Sequence, residues 1–354
     1  CATAPRLEGI EPSYAIPPAA TGRLDTAMLL APPERPTASG VTLIAQNAMA
    51  FAYRAVTAAL ALLGALVGFG WWASAEVAAG ASPWTYAAAF VLGYAALVLA
   101  MTLAFFALAW IWRSPRPHDA RIGPAGTARL LWNEYAALLG ASPRMILYRL
   151  LVPDDPATRS PAPVLLVHGV LCNAGVWTSM RRRLAAAGAG PLHAISYGPP
   201  LASIERFAGQ LAAKIDAILA RTGARDVALV THSMGGLVFR AYLRRYGPAK
   251  VRQAIMIGAP HRGSVHARMF PGVSLSQLRP GNAWLAALNA EALPPGLPIV
   301  SIWSWHDSMV APQLSSRLEG ARDVELAGIG HNALLTDPGV ARLVVEELRR
   351  KASA

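Results

Sequence analysis

The stretch Asp226-Val-Ala-Leu-Val-Thr-His-Ser-Met-Gly-Gly-Leu237 decides the fold. Its apolar first half predicts a buried strand, and residues 235–246 have the spacing of a helix. Ser233 stands at the sharp turn between them, which would lift its hydroxyl off the end of a sheet to where a base can activate it. The helix start would also direct its dipole and the N–H of Met234 at negative charge developing on a substrate oxygen. The stretch therefore predicts a nucleophilic serine; the alternative is an ordinary turn with an incidental serine.

The residues around this unit alternate between short apolar runs and helical stretches. Such alternation predicts an α/β domain, with a mostly parallel sheet flanked by helices on both faces, over residues 145–354. The predicted strands are residues 145–152, 163–167, 192–197, 226–230, 251–257 and 297–303, and the predicted helices are 180–187, 203–220, 235–246 and 340–351.

The turn Thr231-His-Ser-Met-Gly235 resembles the nucleophile elbow of the α/β hydrolases, and it is similar to that of many bacterial lipases and esterases. One departure is Thr231, which stands where the first glycine is usual, so we expect a slightly more open turn. The resemblance covers residues 163–335, about half of the chain. It implies the α/β-hydrolase fold and a serine carboxylic-ester hydrolase that cleaves lipid esters through an acyl-enzyme. It implies no metal and no organic cofactor.

An apolar strand ending in His168-Gly169 precedes the elbow. It resembles the strand that supplies the second oxyanion donor in lipases, so the resemblance assigns the oxyanion hole to the N–H groups of Val170 and Met234. His168 would brace this loop without transferring protons. Cys172 is expected to be a small, semi-buried residue.

The remaining members of a catalytic triad follow the serine in the order acid, then histidine. Asp307 follows a predicted strand, and His331 lies on the glycine-rich loop Gly328-Ile-Gly330 before a helix start. By the resemblance, Ser233, Asp307 and His331 form the triad. The competing candidates are less well supported by their context: His193, His232, His261, His266, His306, Asp323 and Glu325.

Residues 262–296 interrupt the alternation of strands and helices and are rich in apolar side chains. Their second half resembles the helical segment after the sixth strand of lipases. We expect this insert to cover the active site and to line an acyl pocket. The alternative is a plain surface excursion.

Residues 47–113 predict two transmembrane helices in front of the catalytic domain. Between Arg54 and Arg113 there is no Lys or Arg, and Glu76 is the only acid. Two apolar runs, residues 55–73 and 86–112, are each long enough to cross a bilayer and carry tryptophans at their ends. The alternative is a pair of buried core helices. Residues 1–46 are expected to be irregular, and residues 114–144 to form a linker with some helical pattern.

Arginines flank the two runs, whereas the loop between them has no Lys or Arg. The charge rule therefore predicts a two-pass protein of the inner membrane, with a cytoplasmic catalytic domain. A lipoprotein processed at Cys1 is the alternative, and it would reverse this orientation. With only two cysteines, Cys1 and Cys172, the chain is not a disulfide scaffold.

The net charge of +12 is accompanied by no nucleic-acid motif and by no single basic run. Codon bias towards Arg explains it, or attraction to anionic lipid head groups. The expected partners are thus a lipid ester and the bilayer, with neither nucleic acid nor a protein partner. Three functional alternatives remain open: an acyltransferase, a thioesterase, and a membrane protein whose hydrolase domain is only a scaffold.

Overall fold

Six parallel strands form one sheet at the centre of the catalytic domain. The structure, a computed structural model, describes residues 64–152 and 162–350. The strand order is β2-β1-β3-β4-β5-β6, and every neighbouring pair is parallel. The predicted fold class is therefore confirmed for this domain. The strands are β1 (Val164–Val167), β2 (Leu192–Ile195), β3 (Val227–His232), β4 (Val251–Ile257), β5 (Ile299–Ser304) and β6 (Arg322–Leu326).

Helices lie between and after the strands, and four further helices precede β1 in the chain. Residues 64–78 are helical and are called α1 here. The other helices are α2 (Pro83–Ile111), α3 (Pro124–Ile146), α4 (Tyr148–Leu151), α5 (Thr178–Ala186), α6 (Ile204–Thr222), α7 (Met234–Tyr246), α8 (Val273–Gln277), α9 (Ala283–Asn289) and α10 (Pro338–Arg350).

Two apolar clusters, one on each face, hold the helices to the sheet. Phe207 of α6 and Phe239 of α7 pack on one face, and Met180 of α5 and Val344 of α10 pack on the other. Strands β1, β3 and β5 are buried along their whole length. Burying one such large apolar side chain contributes about 1.5–3 kcal/mol, so the central strands provide a rigid frame for the loops at their ends.

The strand predicted at residues 145–152 is wrong. Helix α3 continues to Ile146, and α4 follows it. Ile146 and Leu150 are 79% and 80% exposed, so this apolar run covers no sheet. Periodicity cannot separate a short apolar strand from a helix end. Residues 114–144, expected to be a linker, contain most of α3, whose Leu130, Glu134 and Ala137 are buried.

One of the two predicted transmembrane spans is supported. Within residues 64–152 and 162–350, α2 is the one helix that is long and apolar enough to cross a membrane. Of its most apolar stretch of 18 residues, 17% is buried in the protein. The first predicted run begins outside the described residues, and residues 1–46, expected to be irregular, lie wholly outside them. A two-pass hairpin is thus not supported as predicted. In addition, one stripe of α2 is buried in the protein: Val98, Thr102, Phe105 and Ala109.

Candidate active site

Ser233 stands between β3 and α7 in a backbone conformation that few L-residues adopt. Its φ is 55° and its ψ is −128°; such a residue stores roughly 1–3 kcal/mol of strain. The turn packs tightly against β1, and a Cβ added at Gly235 would lie only 2.6 Å from the carbonyl oxygen of Val167. A Cβ on Gly169 would lie 2.9 Å from that of Ser233. Thr231 is accommodated because it is still a strand residue, opposite Met256 of β4.

Asp307 and His331 are in direct contact. Asp307 follows β5 and His331 follows β6, and their side chains are 1% and 3% exposed. His331 Nδ1 donates to Asp307 Oδ2 over 2.8 Å. The other carboxylate oxygen accepts from the N–H groups of Met309 and Val310, at 2.8 and 2.7 Å. Since Nδ1 carries the proton, Nε2 of His331 is the atom with a free lone pair.

The environment of His331 makes its ring a stronger base than an isolated histidine. Burial lowers the pKa of His331, but the charge and hydrogen bond of Asp307 and the charge of Glu134 raise it further than burial lowers it. The net result is a pKa above the ordinary value.

His232 connects the end of β3 to the His331 loop. Its Nε2 lies 3.1 Å from the carbonyl oxygen of His331, and the two rings are 4.6 Å apart. Burial, followed by the charge of His331, lowers the pKa of His232 well below its usual value, so His232 is neutral. The Ser233 N–H donates to Ile257 over 2.9 Å. Through its Nε2 contact, His232, which precedes Ser233 in the chain, is held to the loop that carries His331.

Two backbone N–H groups are available near the serine, one on Val170 in the loop after β1 and one on Met234, the first residue of α7. No hydrogen bond of the described chain uses the N–H of Val170 or of Met234. His168 shapes this loop: its Nδ1 lies 2.8 Å from the Gly169 oxygen, and its Nε2 accepts from the Tyr197 N–H at 3.3 Å. The Tyr197 hydroxyl donates to the His168 carbonyl. Burial lowers the pKa of His168 to about 4, so it acts as a neutral brace, as expected.

Glu134 is a site residue that sequence reasoning missed. It is fully buried on α3, and Oε1 accepts from Ser308 Oγ at 2.7 Å. The same carboxylate accepts from the N–H groups of Asn332 and Ala333, at 3.0 and 2.9 Å on Oε2, and from Asn332 Nδ2 at 2.9 Å on Oε1. Glu134 therefore holds the residues that follow both Asp307 and His331. Its one sequence signal is an acid on the apolar stripe of the predicted linker helix.

An apolar cavity of about 460 Å³ opens beside Ser233, and we call it the Ser233 cavity. The insert 262–296 lines part of it, with Phe270, Leu275 and Leu278. Helix α2 lines a further part, which the sequence did not indicate. Burial raises the pKa of Cys172, another lining residue, to about 12, so its thiol is neutral. The α2 residues in the wall are Tyr94, Leu97, Val98, Met101 and Phe105.

The competing candidates lie elsewhere or have other contacts. Their surroundings are as follows: His193 lies in β2, His261 is fully buried, His266 Nε2 is 3.3 Å from the Phe105 oxygen, His306 Nδ1 accepts from the Gly328 N–H, and Asp323 and Glu325 lie on β6 beside Arg317. None of these histidines contacts the Asp307 carboxylate within the part of the chain that the structure describes. No group of three metal-ligating side chains occurs among the described residues.

Comparison with known proteins gives sequence matches to lipases and thioesterases. The sequence profile described as palmitoyl protein thioesterase matches residues 163–294. A triacylglycerol lipase of Vibrio cholerae is 32% identical over 121 residues, 33% of this chain and 38% of that lipase. A triacylglycerol lipase of Burkholderia plantarii is 47% identical over 58 residues, 16% of each chain. The chain thus spans at most 38% of the length of these relatives.

Two solved lipases illustrate the structural similarity. The mature form of lipase BlEst2 from Bacillus licheniformis aligns with a TM-score of 0.47 and 18% identity, over 56% of this chain and 94% of that one. Lipase B of Aspergillus fumigatus aligns with a TM-score of 0.49 and 21% identity, over 55% of both chains. The six-stranded parallel sheet flanked by helices, with a serine at the turn between β3 and α7, has the architecture of the α/β-hydrolase fold. Its sequence is distantly similar to lipases and esterases.

Proposed function

We propose that this chain is a serine carboxylic-ester hydrolase, a lipase or esterase, whose catalytic residues are Ser233, Asp307 and His331. The observation that carries the proposal is the buried Asp307–His331 hydrogen bond of 2.8 Å. The His331 ring packs 4.6 Å from that of His232, the neighbour of a strained serine that lines an apolar cavity. A buried acid–histidine pair of this kind is what activates a serine hydroxyl.

The reaction would proceed in two halves. Ser233 Oγ attacks the ester carbonyl while His331 Nε2 takes its proton, and Asp307 stabilises the imidazolium. The N–H groups of Val170 and Met234 donate to the negatively charged oxygen of the tetrahedral intermediate. Collapse of the intermediate releases the alcohol, which receives the proton from His331, and leaves the acyl group on Ser233. Water activated by His331 then releases the acid and restores the serine.

The substrate we propose is a lipid ester whose acyl chain occupies the Ser233 cavity. The cavity wall is largely aliphatic and aromatic, with Leu97, Met101 and Phe270 among its residues. Each methylene buried there would contribute about 0.8 kcal/mol to binding. Helix α2 supports attachment to a membrane, the source of such esters. We further propose that the chain crosses the inner membrane twice and that its catalytic domain lies in the cytoplasm.

Hydrolysis of p-nitrophenyl esters, from acetate to palmitate, tests this function. We expect the Ser233→Ala variant to lose more than about a thousandfold in kcat, because the nucleophile is gone. Ser276→Ala is the matched control, since Ser276 lies on α8 and its hydroxyl only bonds the Val273 oxygen. Equal activity of wild type and Ser233→Ala would mean that the nucleophile is another residue.

A thioester substrate is the second candidate, favoured by the profile described as palmitoyl protein thioesterase. The same acyl-enzyme would form, with a thiol as the leaving group. Rates on palmitoyl-CoA and on p-nitrophenyl palmitate separate the two functions. A kcat/KM higher on the thioester would favour the thioesterase, and a thioester rate equal to that of Ser233→Ala would exclude it.

A further inference from the structure

A second cavity, of about 580 Å³, lies at the C-terminal end of α2 and shares no lining residue with the Ser233 cavity. Three arginines line it, Arg113, Arg116 and Arg121, and we call it the arginine pocket. His306 and Asp307, on the loop after β5, also line it. The function proposed above makes no use of it.

The positive charge of the arginine pocket has no paired acid among residues 64–152 and 162–350. Within the described ranges, none of the three arginines forms an ion pair. Arg113 donates to the Trp110 oxygen and stacks 3.8 Å above the Trp110 ring, and Arg116 donates to the Trp305 oxygen at 2.9 Å. Burial, followed by the charge of Arg113, lowers the pKa of Arg116. The charges of Arg113 and Arg116 therefore repel each other.

Asp307, the one acid in the wall of the arginine pocket, is already fully engaged. One carboxylate oxygen accepts from His331, and the other accepts from the N–H groups of Met309 and Val310. Both of its oxygens thus already accept hydrogen bonds from groups other than the arginines. No described carboxylate pairs with these arginines, which leaves them able to bind an anionic ligand.

The other side of the arginine pocket is apolar. Its apolar residues come from the end of α2, from Ile122 just before α3, and from the first half of α3. A free inorganic anion would leave these apolar side chains exposed to water, and a neutral hydrocarbon would leave the arginines without an anionic partner. The two halves together fit one molecule that has an anionic group on a hydrocarbon chain. The apolar residues are Phe106, Ala109, Trp110, Ile122, Leu130 and Leu131.

The position of the arginine pocket indicates where such a molecule comes from. Trp110, Ile111 and Trp112 are 56%, 72% and 53% exposed at this end of α2. Exposed tryptophans mark the level at which a membrane helix meets lipid head groups. Basic pockets beside such a helix bind anionic head groups.

We propose that the arginine pocket binds an anionic amphiphile, with its phosphate or carboxylate on Arg113 and Arg121 and its chain along α2 and α3. Two sources share this chemistry: a membrane phospholipid and a released fatty acid. The proposal does not depend on catalysis, and it can be tested in the Ser233→Ala background, where lipid is not consumed.

Native mass spectrometry of the full chain in a neutral detergent tests the proposal. We expect the Ser233→Ala protein to retain one phosphatidylglycerol in preference to phosphatidylcholine. Arg113→Gln combined with Arg121→Gln should weaken that retention by about tenfold or more, because two charge-assisted contacts are lost. Arg129→Gln combined with Arg206→Gln is the control, since it removes the same charge from exposed residues that do not line the pocket.

Added dodecanoate distinguishes the two sources. Displacement of phosphatidylglycerol by dodecanoate would assign the arginine pocket to a released fatty acid, and its persistence would assign it to a membrane phospholipid. Equal retention of the two phospholipids, with no binding of dodecanoate, would overturn the proposal. An equal loss in the pocket variant and in the control variant would also overturn it, because net charge alone would then explain binding.

Discussion

At the residue scale, the carboxylate of Glu134 fixes the backbone that directly follows His331. It is fully buried, and it accepts from Ser308 Oγ and from the backbone of Asn332 and Ala333. A side chain added at Gly330 would collide with it, so the loop is fitted closely around this one group. Glu134 touches no substrate in the proposed reaction, and we therefore regard it as a positioning residue.

Glu134→Gln should lower kcat by roughly tenfold or more, because the amide nitrogen cannot accept from backbone N–H groups and one or two buried donors lose their partner. The charge of Glu134 raises the pKa of His331, so its removal lowers that pKa. Since His331 must be neutral to act as a base, the acidic limb of kcat/KM should shift to lower pH. Measured pH–rate profiles of the two proteins check this shift.

Glu319→Gln is the control, because it removes the same charge from a residue that is exposed. An unmoved acidic limb in Glu134→Gln would contradict the proposed effect of the Glu134 charge on the pKa of His331.

At the element scale, α2 serves the catalytic domain as well as the exposed surface. Val98 and Phe105 of its buried stripe line the Ser233 cavity, and the carbonyl of Phe105 lies 3.3 Å from His266 Nε2. The other faces expose large apolar residues such as Val91 and Leu92. The same helix thus presents apolar side chains both to its exposed surface and to the cavity beside Ser233.

Val98→Phe should shorten the preferred acyl chain, because the larger ring fills part of the Ser233 cavity. Excluding two methylenes would cost about 1.6 kcal/mol of binding, so activity on long p-nitrophenyl esters should fall about tenfold relative to the butyrate. Val91→Phe is the matched control: it makes the same change on the same helix, where Val91 is 61% exposed against 7% for Val98. Equal chain-length profiles for the two variants would show that α2 is not part of the acyl site.

The local elements were predictable from the sequence, and the long-range contacts between elements were not. The β3–α7 turn shows its strand, turn and helix pattern within residues 226–237, so the local sequence predicts it. Helix α2 is apolar all round, so its composition does not reveal which face is buried. Glu134 meets Ser308 across 174 positions of sequence, a pairing that no local period encodes. The roles of Ser233, Asp307 and His331 stay a prediction that kinetics must test.

At the scale of the whole molecule, the titration of buried histidines should govern acid stability. Burial is the first cause that lowers the pKa of the buried ring in five cases: His168, His232, His261, His266 and His306. The pKa of His331 is shifted in the opposite direction. Below the ordinary histidine pKa, the unfolded chain binds protons that these five groups refuse in the folded state, so lowering the pH favours unfolding. His331 stabilises the fold at low pH, but one group opposes five.

We therefore expect the melting temperature of the full chain, in a neutral detergent, to fall as the pH drops from about 6.5 towards the pKa of about 4 that His168 and His306 have in the folded state. His168→Gln should lower the melting temperature at neutral pH, because its brace is lost, but should make the dependence on pH shallower by about one proton. His118→Gln, at an exposed histidine, should leave that slope unchanged. A slope that is the same in all three proteins would mean that His168 titrates normally, and that the loop beside Ser233 is more open to water than the buried contacts of His168 imply.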